Sequence, residues 1–403
     1  MIKHKGRFLF LNVGHTLDHL FMLLYPTVVL SLEGEFGMTY QELLPLSVGG
    51  FIAFGAGAIP SGWLGDRWSR RKMMILFFVG IGLASVLTGL STSLWQIAAG
   101  LTLVGVFASI YHPVGVAMVV EDAQGMGKVL GINGVYGNLG VAAAALTAGA
   151  LTDLIHWRAA FIIPGILSVV VGVFFALAIR ETPRGEKSAS ASKVVKLDSR
   201  ALARVIGVIV ITTVFGGIIF HSTLVSLPKV FSIRMTDFAG SAIGIGGLVS
   251  LVYTFGAFSQ ILVGHLIDRH PIRGVLFGIA VLQVPFLVAA SQLTNTPLLI
   301  IAGLMMFTIF GAIPITDTMI ARYSADHIRS RLFAIKYLAA LGVSSLAVPL
   351  ISLVYGSTGD FTYLFGSFAL ISILIAGAAL FLPGGNPGDS TQPVPSQAGA
   401  GAD

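Results

Sequence analysis

The chain has 403 residues, of which 55% are hydrophobic and only 10% are charged, and its mean hydropathy is +0.89. Soluble globular chains are about 25% charged, so this composition excludes a soluble enzyme. The chain has no Cys, which excludes a disulfide-stapled secreted scaffold, a thiolate metal site and a cysteine nucleophile.

Apolar runs near the length of about 20 residues that crosses a bilayer as a helix alternate with short polar clusters along the chain. They predict an all-α membrane protein with twelve transmembrane helices, at 8–32, 43–63, 73–91, 95–119, 129–152, 159–179, 204–228, 241–264, 274–292, 297–320, 331–355 and 361–382. A polar segment at 180–203 is predicted to be a cytoplasmic linker between two pseudo-symmetric six-helix bundles, 1–179 and 204–382. Residues 383–403, rich in Pro, Gly and Ser, are predicted to be a disordered tail.

The basic residues are distributed unevenly between the polar segments. If the N-terminus is cytoplasmic, 20 of the 24 Lys and Arg fall on the cytoplasmic side, so the positive-inside rule predicts an N-in, C-in topology. The net charge of +6 does not indicate a nucleic-acid partner, because the charges flank spans and form no single basic face. We expect a monomeric multi-pass protein of a bacterial inner membrane, with the lipid bilayer, protons and a small-molecule substrate as its partners.

A short pattern, Gly-x-Leu-x-Asp-Arg, is placed between the second and third spans at 62–67 and recurs between the eighth and ninth at 264–269. Two six-helix halves with an internal repeat are typical of secondary transporters that rock around a central site. We predict a charge–dipole latch that favours the outward-facing state, formed by Gly62, Asp66, Arg67, Arg70, Arg71, Asp268 and Arg269. A solvated basic loop is the alternative, but it would not explain the second copy.

A carboxylate lies deep in the first predicted span. Asp18 follows Arg7 by eleven residues, which places it about 16 Å into a hydrocarbon core about 30 Å thick. An acidic group at that depth is costly unless it faces a cavity or a partner. His15 lies on the same helical face and is predicted to pair with Asp18 in proton coupling, whereas His19 should point elsewhere. A structural polar contact between helices is the alternative.

Other polar side chains inside the spans are candidate substrate contacts. His112 precedes Pro113, whose missing N–H loosens the fourth span, so His112 either faces substrate or donates one interhelical hydrogen bond. His221 in the seventh span is the half-repeat counterpart of the polar stretch in the first. Asn133 and Tyr136 in the fifth span are also predicted to contact substrate.

Two opposite charges lie at similar depth in the tenth and eleventh spans. Asp317 is predicted to take part in proton coupling and Lys336 to bind an anionic substrate group. Lys336 can instead extend to the membrane interface, and Asp317 can pair with Arg322.

Several chemistries have no signal in the sequence. No glycine run follows a strand or ends in Lys-Ser/Thr, so there is no nucleotide-binding loop. No Ser-His-Asp or metal-ligand cluster is recognisable, and we expect no cofactor, no metal site and no enzymatic activity. A non-transporting membrane sensor is a further alternative, but it lacks support from any sizeable extramembrane domain.

The repeated pattern, with its trailing Arg70, Arg71 and Lys72, resembles the signature loop of the major facilitator superfamily, whose members repeat it in their second half. The resemblance covers residues 8–382 and implies transport by alternating access.

Three further motifs resemble the fosmidomycin-resistance branch of bacterial drug exporters within that superfamily. They are His15-Thr16-Leu17-Asp18 followed by Tyr25-Pro26, Tyr111-His112-Pro113, and Gly134-Val135-Tyr136-Gly137-Asn138-Leu139-Gly140. This resemblance implies proton-driven export of a small anionic or amphiphilic compound. Proton-coupled uptake of a small organic anion, with Lys336 as its counter-charge, is the alternative.

Overall fold

The computed structural model describes residues 5–121, 126–181, 199–237, 240–323 and 326–384, and all regular structure in these ranges is helical. The α-helices are α1 Lys5–Phe36, α2 Tyr40–Leu43, α3 Val48–Arg67, α4 Arg70–Gly89, α5 Leu94–Ala108, α6 Val116–Glu121, α7 Met126–Leu154, α8 Ala159–Ala178, α9 Ser199–Arg234, α10 Ala242–Arg269, α11 Ile272–Ala290, α12 Asn295–Gly311, α13 Ile313–Tyr323, α14 Asp326–Thr358 and α15 Thr362–Ala379. A 3-10 turn joins α2 to α3, and a π-helical turn joins α5 to α6.

Within the described ranges, eleven helical stretches are long and apolar enough to cross a membrane, and the apolar part of α14, Gly342–Thr358, is a shorter twelfth candidate. Large apolar side chains cover the outside of the molecule, and Leu83, Phe174 and Leu353 are each more than half exposed. A soluble monomer rarely exposes large contiguous apolar patches, whereas lipid tails solvate such a surface. The predicted all-α membrane fold is confirmed.

The packing of the helices repeats between the two halves of the chain. In the first half α1 packs on α7, α4 on α8 and α3 on α5. The second half repeats these pairs as α9 with α14, α11 with α15 and α10 with α12. The halves meet where α7 crosses α10 and where α3 crosses α14, and these crossings are also related by the repeat. The two pseudo-symmetric bundles predicted from the sequence are thus present.

Glycines permit the close crossing of α7 and α10. A Cβ atom at Gly149 would lie 2.2 Å from the carbonyl oxygen of Ala242, and one at Gly246 would lie 2.2 Å from that of Ala145. Because no side chain fits in such a gap, only glycine allows the two backbones to approach this closely.

The helices extend further than hydropathy indicates. The repeated pattern was expected between spans, but both copies lie in the last turns of helices, since α3 ends at Arg67 and α10 ends at Arg269. Arg at a helix C-terminus interacts favourably with the helix dipole, which favours continuing the helix through the pattern. α9 begins at Ser199, within the segment 180–203 that was predicted as a linker. Residues 182–198 and 385–403, most of the predicted linker and tail, lie outside the described ranges.

Two repeat-related spans are interrupted beside a proline. The fourth span changes from α-helix to the π-helical turn Tyr111–Gly115, which contains Pro113. The tenth span breaks between α12 and α13, where Pro314 is the second residue of α13. Proline cannot donate the helical backbone hydrogen bond, and the interruption in the fourth span places His112 beside α1.

Candidate functional site

The first candidate site lies where α1, the π-helical turn and α7 meet inside the first half. In this site the His15 ring contacts Asn133, His19 and Tyr111. Its Nδ1 atom lies 2.7 Å from the backbone oxygen of Asn133, and because a carbonyl can only accept, Nδ1 carries the hydrogen. In the neutral ring the Nε2 atom then presents a lone pair, and it lies 3.2 Å from Nε2 of His19. The ring also stacks on Tyr111 at a centroid distance of 4.8 Å.

Asp18 lies in the same cluster with its side chain fully buried. His112 approaches it, with its Nε2 atom 3.4 Å from Oδ2 of Asp18. Neither carboxylate oxygen accepts a well-formed hydrogen bond from the described residues. His112 is near enough to Asp18 for an electrostatic contact. The expected pair between His15 and Asp18 is not formed, because Asn133 holds the His15 ring toward α7. The expectation that His19 points elsewhere is also wrong.

His112 reaches α1 because small residues let α3 pack against the π-helical turn. A Cβ atom at Gly62 would lie 3.2 Å from Pro113, and one at Gly65 would lie 2.7 Å from a methyl group of Val114. The first glycine of the repeated pattern therefore supports the turn that carries His112. The His112 side chain is 23% exposed, so one side of the cluster is accessible.

The predicted fifth-span contacts mainly position other groups. Asn133 is buried, and its amide nitrogen donates to Oδ1 of Asn12 at 2.9 Å and to the Tyr111 hydroxyl at 2.8 Å. A substrate contact by this nitrogen would have to replace one of those bonds. The carbonyl oxygen of Tyr136 accepts from Thr16 at 2.9 Å, and its side chain is half-buried.

The second candidate site joins the tenth and eleventh spans. Lys336 forms an ion pair with Asp317. The Arg322 guanidinium donates to the carbonyl oxygen of Ile267 at 3.0 Å and lies 3.5 Å from Asp268.

His221 lies on α9, with its ring against that of Phe220 at a centroid distance of 5.2 Å. Its helix, α9, packs against α1, the helix that carries His15 and His19.

The predicted latch residues tie together helices of the first half. Arg70 binds Asp66 at 2.7 Å and also pairs with Glu121, which lies 3.3 Å from Arg7. Arg71 donates to backbone carbonyls in the last turn of α8, where a cation interacts favourably with the helix dipole.

The other latch residues are more exposed. Arg67 lies 5.5 Å from the ring centroid of Trp63. In the second copy Asp268 approaches Arg322, as described above, and Arg269 is exposed at the end of α10.

Contacts between the halves cluster at the end of the bundle that contains Glu33, here called the Glu33 end. Lys229 of α9 pairs with Glu33 of α1, and the rings of Tyr40 and Tyr355 meet at a centroid distance of 5.4 Å. At the same end the Ser352 hydroxyl donates to the Gln41 backbone oxygen at 3.2 Å. No motif in the sequence relates partners so far apart in the chain, so these contacts were not predicted. His19, in contrast, follows His15 by four residues, a spacing that places both on one face of α1.

Comparison with known proteins identifies the architecture. The Major Facilitator Superfamily matches residues 16–234 and 226–400. The chain belongs to this superfamily. Superfamily membership makes the protein a membrane transporter and not an enzyme, and it confirms the coarser resemblance found in the sequence.

Individual relatives and one solved structure resemble the chain at low sequence identity. It is 24% identical over 383 residues to a probable 4-methylmuconolactone transporter from Cupriavidus pinatubonensis, a match covering 90% of this chain and 88% of that one. It is 24% identical over 253 residues to a puromycin resistance protein from Streptomyces alboniger, but that match covers only 62% of this chain and 41% of the relative. The xylose transporter XylE from E. coli shares the fold, with a TM-score of 0.76 and 13% identity over 96% of this chain and 97% of that chain.

Proposed function

We propose that the protein is a proton-coupled secondary transporter that exports a small anionic or amphiphilic compound by rocking its two halves. The observation that carries the proposal is the buried Asp18 carboxylate, which has His112 at 3.4 Å and no well-formed hydrogen bond. A buried carboxylate without donors is stable when protonated or beside a cation. A change in its access to water would therefore load or release a proton.

The predicted topology indicates which conformational state this structure represents. With the N- and C-termini in the cytoplasm of a bacterial cell, the Glu33 end faces outward. The contacts between Lys229 and Glu33 and between Tyr40 and Tyr355 would then close the outer side, which supports an inward-facing state for this structure. The predicted latch around Asp66 and Arg70 lies at the cytoplasmic end, where its ion pairs join helices of the first half in this state. To favour the outward-facing state, these residues would have to meet the second half when the cytoplasmic side closes.

Two similarities between this chain and known proteins favour export. The motifs around Asp18, His112 and Tyr136 resemble the fosmidomycin-resistance branch of drug exporters, and one relative is named as a puromycin resistance protein. Proton-coupled uptake of an organic anion is the second candidate, favoured by the Lys336 ammonium in the second half. Because Lys336 pairs with Asp317, an anionic substrate would have to displace that carboxylate.

The decisive experiment is transport in proteoliposomes with an imposed pH gradient, screened against phosphonates, organic anions and cationic dyes. Asp18→Asn should abolish gradient-driven transport and leave substrate exchange at equal pH partly intact, because Asn cannot carry the coupling proton. Asp237→Asn, at an exposed position outside the spans, is the matched control and should transport like wild type. Gradient-driven flux unchanged in Asp18→Asn would remove Asp18 from coupling, and no flux of any solute in wild type would overturn the transport proposal.

A further inference from the structure

We propose that His15, His19 and His112 form a binding site for a divalent transition-metal cation of the Zn²⁺ type. One ring nitrogen from each histidine lies within 4.8 Å of the corresponding atoms of the other two. The proposal goes beyond transport, since metal binding requires neither a gradient nor a substrate.

The spacing of two ring nitrogens already fits a shared ion. The Nε2 atoms of His15 and His19 are 3.2 Å apart. Two nitrogens bound to tetrahedral zinc at about 2.0–2.1 Å are separated by about 3.3 Å. His112 completes the set by a small ring movement, since its ring centroid lies 5.4 Å from that of His15 and 5.5 Å from that of His19.

Two of the histidines have, near a ring nitrogen that would not bind the metal, the kind of partner found at known metal sites. A metal-ligating histidine commonly donates its other N–H to a backbone carbonyl or carboxylate, which fixes the ring and its tautomer. His15 does this through Nδ1 to the Asn133 carbonyl at 2.7 Å, and this leaves the Nε2 lone pair aimed at His19. His112 has its Nε2 atom 3.4 Å from Oδ2 of Asp18, so a metal bound at its other ring nitrogen would leave Nε2–H directed toward a carboxylate.

Charge provides an independent reason for a cation. Asp18 is fully buried and neither of its oxygens accepts a well-formed hydrogen bond from the described residues. A buried carboxylate is costly without compensation, and a divalent ion among three neutral imidazoles supplies a positive charge at short range. Asp18 therefore acts as counter-charge to the metal through His112.

Three protein ligands leave one position of a tetrahedral ion open. His19 and His112 are only partly buried, so the open position lies toward their accessible side. A water molecule or an anionic oxygen of a small molecule is the fourth ligand expected there.

The test is titration of the purified full chain, without a polyhistidine tag, with Co²⁺ and then Zn²⁺. We expect one Co²⁺ per chain with the visible d–d absorption of a tetrahedral ion, displaced by Zn²⁺. His19→Gln and His112→Gln should each weaken binding at least about tenfold, since the loss even of groups supporting a ligand costs about 10- to 100-fold. His156→Gln and His265→Gln, at exposed positions, are matched controls and should bind as wild type does.

His15→Gln is informative only with a folding check, since His15 stacks on Tyr111, and gel filtration with thermal unfolding supplies it. His19→Gln keeps the test open if His15→Gln does not fold. The proposal is overturned if the Co²⁺ spectrum is octahedral and weak in wild type. It is equally overturned if the spectrum and affinity survive in both His19→Gln and His112→Gln, or disappear in His156→Gln.

Discussion

The ammonium group of Lys229 pairs with the carboxylate of Glu33 across the boundary between the two halves. The same ammonium lies 5.2 Å from the ring centroid of Tyr40 and 5.6 Å from that of Tyr355. Because the Lys229 side chain is only 9% exposed, its cation–π contacts are largely desolvated and each contributes about 1–2 kcal/mol. In the proposed alternating-access cycle all these contacts separate, so this group would set part of the energy difference between the two states.

A disulfide across the Glu33 end should stop transport. A Cβ atom at Gly356 would lie 3.6 Å from Cβ of Gln41, within the range of about 3.5–4.5 Å that disulfides require. The pair Gln41→Cys/Gly356→Cys should therefore form a bond on mild oxidation, hold the halves together at this end and abolish flux in proteoliposomes. Reduction should restore flux.

The control for the cross-link is unusually clean, since the native chain has no Cys. Each single Cys variant, treated with the same oxidant, should keep its flux. Full flux in the oxidised double variant, with the bond verified by mass spectrometry, would show that the Glu33 end does not open during transport.

The spans were predictable because each depends on the composition of its own segment. Contacts between side chains on different helices were harder to predict from the sequence, and His15 shows why. Helical spacing placed it on the face of Asp18, but the Asn133 carbonyl, 118 residues away in the chain, accepts its Nδ1 hydrogen at 2.7 Å. Pro113 indicated a loosened fourth span, but the local sequence does not specify that the resulting π-helical turn brings His112 to Asp18.

Asp66→Asn should slow turnover and leave equilibrium substrate binding unchanged. Arg70 links Asp66 to Glu121 at the ends of α3, α4 and α6, whereas Asp18 lies in the middle of α1. Exposed ion pairs contribute about 0.2–1 kcal/mol, so the ratio of the two conformations should change by up to about fivefold. Transport rate and binding isotherms measured on the same preparation check this, with Asp268→Asn as the second-half counterpart. A large loss of affinity for one substrate would contradict a latch.

Asp360 should make folding stability depend on pH under acidic conditions. Burial alone would raise the pKa of this carboxyl, but hydrogen bonds from Arg234, one of them 3.0 Å long, and from Thr362 outweigh it and hold the pKa below its usual value. A lowered folded-state pKa gives stability that is present above the unfolded value of about 3.9 and is lost as the pH falls through the folded value.

The measurement for Asp360 is thermal unfolding in detergent between about pH 6 and pH 3. Asp360→Asn should be less stable than wild type at pH 6 by at most about 1 kcal/mol, because the carboxylate is 38% exposed. The difference should shrink toward pH 3. Asp237→Asn, an exposed acid at the same end, is the control and should show neither effect. A constant difference across this range would assign the loss to packing and not to charge.

Lys336 and Asp317 together should set charge selectivity. A charge-assisted contact contributes about 1.5–3 kcal/mol, so Lys336→Met should weaken binding of an anionic substrate about ten- to hundredfold. The Lys336 ammonium is paired with Asp317 in this structure. Asp317→Asn would release the ammonium and should therefore strengthen anion binding. Binding of a cationic dye should change in neither variant.

The single and double variants separate this selectivity from a purely structural ion pair. Lys336→Met leaves Asp317 without its partner, at a moderate cost since Asp317 is 39% exposed, so membrane expression should fall and should recover in Lys336→Met/Asp317→Asn. Anion affinity should stay low in the double variant, because the ammonium itself is gone. Expression and anion affinity at wild-type levels in all three variants would mean that the pair neither supports the fold nor meets the substrate, and the proposal of an anionic cargo would lose its support in the second half.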